Sequence, residues 1–208
     1  MQSVVSRRAF IAGAAAVLSL GLGGCGTQSD ESRTHHAVSL SSDDPRKKVI
    51  AVMRREFGNT DGTEYEDALL DAGGELCAGE RGLWCVTFLW WAFHKAGYGD
   101  LFCGGEPISV PGLQVDWWRE HGQMHDEFDE NDVPRIGDIY YQLLDPEYRF
   151  EGCGDVSHGE FVIDYDKDSR KLFCVSANPV VEVHEHVIDD ELACDHFRGY
   201  ARPAWDKA

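Results

Sequence analysis

The chain has 208 residues, with 19 Lys and Arg against 37 Asp and Glu and a formal net charge of −18. Such a field disfavours nucleic acid and anionic wall polymers as partners held by charge. Seven cysteines are present, yet no Cys-x-x-Cys pair occurs, so neither a thioredoxin-like redox site nor a thiolate zinc site is supported.

Residues 1–24 read as an export signal. Ser6-Arg7-Arg8-Ala9-Phe10 resembles a twin-arginine motif, and Ile11 to Leu22 is an apolar, Ala- and Gly-rich stretch too short for a comfortable membrane span. Leu22-Gly23-Gly24-Cys25 resembles a lipobox, in which the chain is cut before Cys25 and its sulfur carries diacylglycerol. The alternative is an ordinary secretory signal with an incidental cysteine. Two acyl chains, each buried methylene worth about 0.8 kcal/mol, would hold the protein firmly on the outer face of a bacterial cytoplasmic membrane. Residues 25–44 are polar and without apolar periodicity, which predicts a lipidated tether. Residues 45–208 are long enough for one domain with its own core.

Within that domain, Asp44-Pro45 followed by Val49, Ile50, Val52, Met53 and Phe57 predicts a first helix with an Asp cap and Pro at its first position. A glycine-rich loop, Gly73 to Gly82, leads to Cys85. Apolar residues at Cys85, Phe88, Leu89, Ala92, Phe93 and Ala96 make one stripe of an amphipathic helix that Gly97 closes. A thiol at a helix start meets unpaired N–H groups and the positive end of the macrodipole, which favour the reactive thiolate. Leu113, Val115, Trp117 and Trp118 after Val110-Pro111 predict a short third helix ending near Gly122. Its aromatics are candidates for a substrate groove or for the core. The acidic run Asp126 to Asp132 reads as a solvated loop.

Strands are predicted at Ile136–Leu143, His158–Tyr165, Lys171–Ser176, Val180–His184 and Phe197–Arg202, with a turn at Asp166-Lys167-Asp168-Ser169. Helices first and strands after predict an α+β domain with N-terminal helices packed on an antiparallel sheet. The second strand of the hairpin ends at Ser176-Ala177-Asn178, so Asn178 is a candidate neighbour of His158 if the register allows it. His184-Glu185-His186 puts two imidazoles on one side of a strand, read as an exposed face.

Four landmarks in order resemble the CHAP domains (cysteine, histidine-dependent amidohydrolases/peptidases) of the NlpC-like and papain-like cysteine peptidases. They are Trp84-Cys85 with Phe88, Trp91 and Ala96-Gly97-Tyr98, then Pro134-Arg135-Ile136-Gly137-Asp138-Ile139-Tyr140, then Ser157-His158-Gly159-Glu160-Phe161-Val162, and Ser176-Ala177-Asn178. The resemblance spans roughly residues 45–205. It implies a papain-like fold, Cys85 as nucleophile, His158 as base and Asn178 as the residue that orients the imidazole. The implied reaction is cleavage of a peptidoglycan amide bond through a thioester, either between N-acetylmuramic acid and L-alanine or within the stem or cross-bridge peptide. No metal or organic cofactor is implied.

Three positions depart from the family's pattern. Ser176 stands where an acidic residue is common, Gly159 follows the histidine with no spacer, and Thr87 occupies a position often held by Asp. Leu76-Cys77-Ala78 replaces the Asp-x-Asp loop of calcium-binding members. A catalytically inactive CHAP-like module binding wall peptides or a protein partner is the alternative, and a metal-binding lipoprotein using His184, His186 and His35-His36 is a third reading. Of the remaining cysteines, Cys77 with Cys103 and Cys174 with Cys194 are expected disulfide pairs.

Overall fold

A computed structural model describes residues 40–144, 154–177 and 179–208. The expectations for the signal, for Cys25 and for most of the tether, like the one for Asn178, lie outside the described residues. No helix among the described residues is long and apolar enough to cross a membrane.

The first helix, α1 (Pro45–Arg55), starts as its sequence dictates: the Asp44 carboxylate accepts from the Arg46 N–H, and Pro45 sits in the first turn. Its Val49 and Met53 are fully buried. A second helix, α2 (Thr63–Asp71), was not among the predicted elements, because only Tyr65 and Leu69 mark its apolar side. It earns its place through Glu66, a buried carboxylate that accepts from the Gly82 N–H at 2.6 Å and from Arg81 at 3.2 Å. Those bonds pin the loop that delivers the chain to Cys85.

Helix α3 (Cys85–Lys95) buries every residue from Cys85 to Phe93. It is apolar all round its first turns, so it is a core helix and not a surface one. It ends in a Schellman motif: Gly97, at φ +84°, donates to the His94 carbonyl, and Tyr98 donates to that of Phe93. Helix α4 (Pro111–Glu120) sends the fully buried Trp118 inward, while Trp117 is only partly buried and stacks on His121. Core packing is therefore the fate of Trp118.

Six antiparallel strands form one open sheet in the order β1-β6-β2-β3-β4-β5. They are β1 (Met124–His125), β2 (Ile139–Gln142), β3 (His158–Asp166), β4 (Lys171–Ser176), β5 (Glu182–Val187) and β6 (Phe197–Ala201). A short helix, α5 (Ile188–Ala193), joins β5 to β6. The expected α+β architecture, helices first and an antiparallel sheet after, is what the chain adopts.

Because side chains alternate across a strand, the sheet builds two different faces. Ile139, Tyr141, Phe161 and Val175 join the helices in the main core. Tyr140, Val162, Leu172 and Cys174 turn the other way into a smaller cluster with Ile188, Phe197 and Tyr200. The Pro134-to-Tyr140 stretch serves structure. Gly137, at φ +97°, leaves no room for a Cβ, which would lie 2.6 Å from Trp205 Nε1. Asp138 is buried and paired with Arg202 at 3.0 Å. Burial raises the Asp138 pKa even against that pairing.

Neither expected disulfide forms. Cys103, Cys174 and Cys194 are free thiols, with Cys103 and Cys174 fully buried and Cys194 exposed. Cys174 projects from β4 toward Glu160, whereas Cys194 lies beyond α5.

Candidate active site

Cys85 occupies the first position of α3, and its sulfur contacts the imidazole of His158, the first residue of β3. Both are nearly enclosed, at 6 % and 5 % exposure. The meeting follows from sheet pairing. Val162 exchanges backbone hydrogen bonds with the β2 side, through Gly137 and Asp138, so Gly159 and Phe161 turn their N–H groups toward β4. The β3–β4 ladder starts only at Phe161 and Val175. One step earlier, the Gly159 N–H is left for the Cys85 sulfur, which also accepts from the Val86 N–H in the first turn of α3.

The glycine after the histidine is therefore a steric requirement. A Cβ at Gly159 would lie 2.8 Å from Val86 Cγ1 and 3.1 Å from the Tyr141 ring. Any side chain there would push β3 away from the helix that carries the thiol.

On the far side of the imidazole, Nε2 lies 3.1 Å from Glu160 Oε1 and 2.9 Å from Ser176 Oγ. With Nε2 so engaged, Nδ1 is the nitrogen left for the sulfur. The orienting role expected of Asn178 falls outside the described residues; among the described residues, Glu160 and Ser176 meet Nε2. Ser176 stands where an acid was expected, and the carboxylate is supplied from β3. The signal was in the sequence: residues 158 and 160 of one strand share a side.

The charges are mutually supporting. Burial pushes the Cys85 thiol up, but the His158 charge, its hydrogen bond and the two backbone N–H groups outweigh burial and hold the thiol below its ordinary value. Burial pushes His158 down, yet the Cys85 sulfur and the Glu160 carboxylate raise it to about 10. Glu160 is held well below the usual carboxylate range; burial opposes this, and hydrogen bonds from His158, His184 and His186 overcome it. Two buried polar atoms close to the pair in sequence or register have no hydrogen-bond partner among the described residues: Thr87 Oγ1 in the first turn of α3, and Gln142 Nε2 on β2. Gln142 is the register partner of His158.

Residues His184 and His186 do share one side of β5, but that side is not an exposed face. It is folded toward Glu160, with His186 Nε2 at 2.7 Å from Oε2 and His184 Nδ1 at 3.0 Å from Oε1. The sequence could not show this, because β4 lies between β3 and β5 and the pairing spans more than twenty residues. Glu160, His184 and His186 present one donor atom each within 4.8 Å of one another.

No family model, curated protein or solved structure matches the chain.

Proposed function

We propose that the protein is a cysteine-dependent hydrolase of amide bonds with a CHAP-like, papain-like catalytic domain. One observation carries the reading: a thiol at a helix N-terminus touches an imidazole whose other nitrogen is held by a buried carboxylate and a hydroxyl. A structural cysteine packed as a small hydrophobe has no need of these partners.

In this mechanism the Cys85 thiolate attacks the scissile carbonyl, and the carbon–sulfur bond forms as the carbonyl electrons move to oxygen. The oxyanion is met by the Cys85 backbone N–H at the start of α3, with the amide of Gln142, the register partner of His158, as the second donor. His158, as imidazolium, gives its proton to the leaving amine and so yields a thioester. It then takes a proton from water, whose oxygen displaces the sulfur and releases the acid. Glu160 and Ser176 fix the ring and stabilise its charge throughout.

The substrate we infer is peptidoglycan, cut at the N-acetylmuramoyl-L-alanine bond or within the stem or cross-bridge peptide. Support comes from the order of the four sequence landmarks and from the export signal with its lipobox cysteine, Cys25, which suit an enzyme tethered beside the wall. Digestion of purified muropeptides by the wild-type protein beside Cys85→Ala, followed by mass spectrometry, tests this. New L-alanine N-termini on stem peptides identify an amidase, and new internal termini an endopeptidase. Equal inactivity of both proteins across a range of wall chemotypes rejects the hydrolase.

A further inference from the structure

His158 meets Glu160 at Oε1, an oxygen that His184 shares, while His186 takes Oε2; the reaction needs neither His184 nor His186. Each of those rings has a carboxylate at both nitrogens. His186 faces Glu160 Oε2 at 2.7 Å through Nε2 and Glu191 Oε1 at 3.1 Å through Nδ1. His184 faces Glu160 Oε1 at 3.0 Å through Nδ1 and Glu182 Oε1 at 3.4 Å through Nε2. A neutral imidazole donates from one nitrogen only. Without an ion, both rings can carry a second proton and donate to Glu160; when each ring gives its single remaining proton to the outer carboxylate, two lone pairs turn toward the Glu160 carboxylate, and a cation can take the place of the two protons.

This is the donor set and the outer shell of a zinc-type site. Metal-binding histidines usually pass their second N–H to a carboxylate, which fixes the tautomer and aims the lone pair inward; Glu191 and Glu182 stand in those places. Donors around a tetrahedral zinc, each about 2.1 Å from the ion, are separated by roughly 3.4 Å. The two His–Glu160 separations, 3.0 and 2.7 Å, are shorter than this, and the three donor atoms all lie within 4.8 Å of one another, so side-chain movements of under an ångström open the His–Glu160 spacing. His184 keeps 37 % of its side chain exposed, which gives an entry path and an open coordination position.

We propose that Glu160, His184 and His186 bind a divalent transition metal of the zinc class, and that the ion restrains the Cys85–His158 pair by drawing on the carboxylate that orients His158. The site stands on its own geometry; its effect on Cys85 rests on the hydrolase reading. Occupancy would pull electron density of Glu160 away from the imidazolium, leaving the thiolate–imidazolium pair less supported. Metal availability would then set the activity of the enzyme.

The test uses the full chain in detergent, stripped with a chelator and titrated with zinc, with bound metal counted after dialysis. Wild type is expected to keep one zinc per chain. His184→Ala/His186→Ala should bind at least about 100-fold more weakly, and the single variant at half-exposed His184, which disturbs folding least, should also weaken binding. Cys85→Ser should keep its zinc. Mass-mapped alkylation of Cys85 should slow at least tenfold on zinc addition in wild type and less than twofold in the double variant. Failure of wild type to retain zinc, retention by a folded double variant, or loss in Cys85→Ser would each overturn the site. Stoichiometric zinc with unchanged alkylation overturns the coupling. Metal counting needs no substrate, so a Cys85 that is inert with and without zinc rejects the hydrolase while the zinc count still decides the site.

Discussion

The two faces of the sheet share the same strands and differ in almost everything else. Under the helices, Tyr141, Phe161 and Val175 join a packed aromatic and aliphatic core. Through it runs a neutral chain of hydrogen bonds, from Trp118 to Tyr141 at 2.9 Å, from Tyr141 to Gln114 at 2.9 Å and from Gln114 to the Ile108 carbonyl at 2.7 Å. On the opposite face, beside the smaller apolar cluster of Tyr140, Val162, Leu172 and Cys174, stand Gln142, His158, Glu160, Ser176, His184 and His186. Carboxylates and imidazoles there depend on one another for their charge states. The first arrangement stabilises the fold without offering reactivity. The second holds ionised groups inside the protein, a cost offset by their mutual pairing and hydrogen bonds, and strongly coupled buried groups of this kind mark candidate functional sites.

The comparison breaks most completely at the point where the faces meet. Cys85→Ala or His158→Ala should lower muropeptide turnover by at least about 10³-fold, since the nucleophile and its base act as a unit. Thermal melting should change little for Cys85→Ala, which separates chemistry from folding.

The next largest effect belongs to Glu160→Gln, which keeps the shape and removes the charge. Turnover should fall by about 10- to 10³-fold. Alkylation of Cys85 as a function of pH gives a second readout. In wild type the thiol is held below its ordinary value, so rapid alkylation should persist at pH values where a free thiol is protonated, and the ion pair should be lost above about 10 as His158 deprotonates. In Glu160→Gln the lower midpoint should move up toward the ordinary thiol value, a change that a merely structural role would not produce.

His186 makes the electrostatic character of the second face visible in stability. Burial lowers its pKa, but the hydrogen bonds and charges of Glu160 and Glu191 raise it to about 9. A raised folded-state value means that the protonated ring stabilises the fold fully below its unfolded value of about 6.5, and that this contribution disappears as pH rises through about 9. The melting temperature of the metal-free protein should therefore fall by on the order of 5 °C between pH 6.5 and 9.5. His186→Ala should flatten that slope.

How much of this was legible depends on range in sequence. Helix α3, its glycine stop and most of the strands are written in local periodicity, while the meeting of Cys85 with His158 is expected from the family resemblance. Helix α2 escaped because two apolar residues do not make a period; its value lies in one buried carboxylate, Glu66. The partner of His158 is two residues away in the same strand, yet the sequence landmarks give Glu160 no role of its own. The assignment of His184 and His186 to an exposed face failed for a topological reason: period two tells which residues share a side, and only the strand order tells what that side faces.

At the seam between the faces, Gly159→Ala should cost about 1–3 kcal/mol of stability through overpacking against Val86 and Tyr141. It should also slow Cys85 alkylation, because β3 must move and carry away the N–H that the sulfur accepts. A loss of stability with unchanged alkylation would show that the glycine serves packing alone.

The smallest effect should come from the first face, where the chain of hydrogen bonds does no chemistry. Trp118→Phe removes the indole N–H that reaches the Tyr141 hydroxyl, while most of the aromatic volume between Phe102 and the sheet remains. The hydroxyl keeps its donor bond to Gln114, so no buried group is stranded. Destabilisation should be about 1 kcal/mol, the net worth of one neutral hydrogen bond with a small packing change. The rate and pH midpoint of Cys85 alkylation should match wild type. A shifted midpoint would mean that Tyr141, which packs beside Gly159, transmits to the thiol and that the two faces are energetically one.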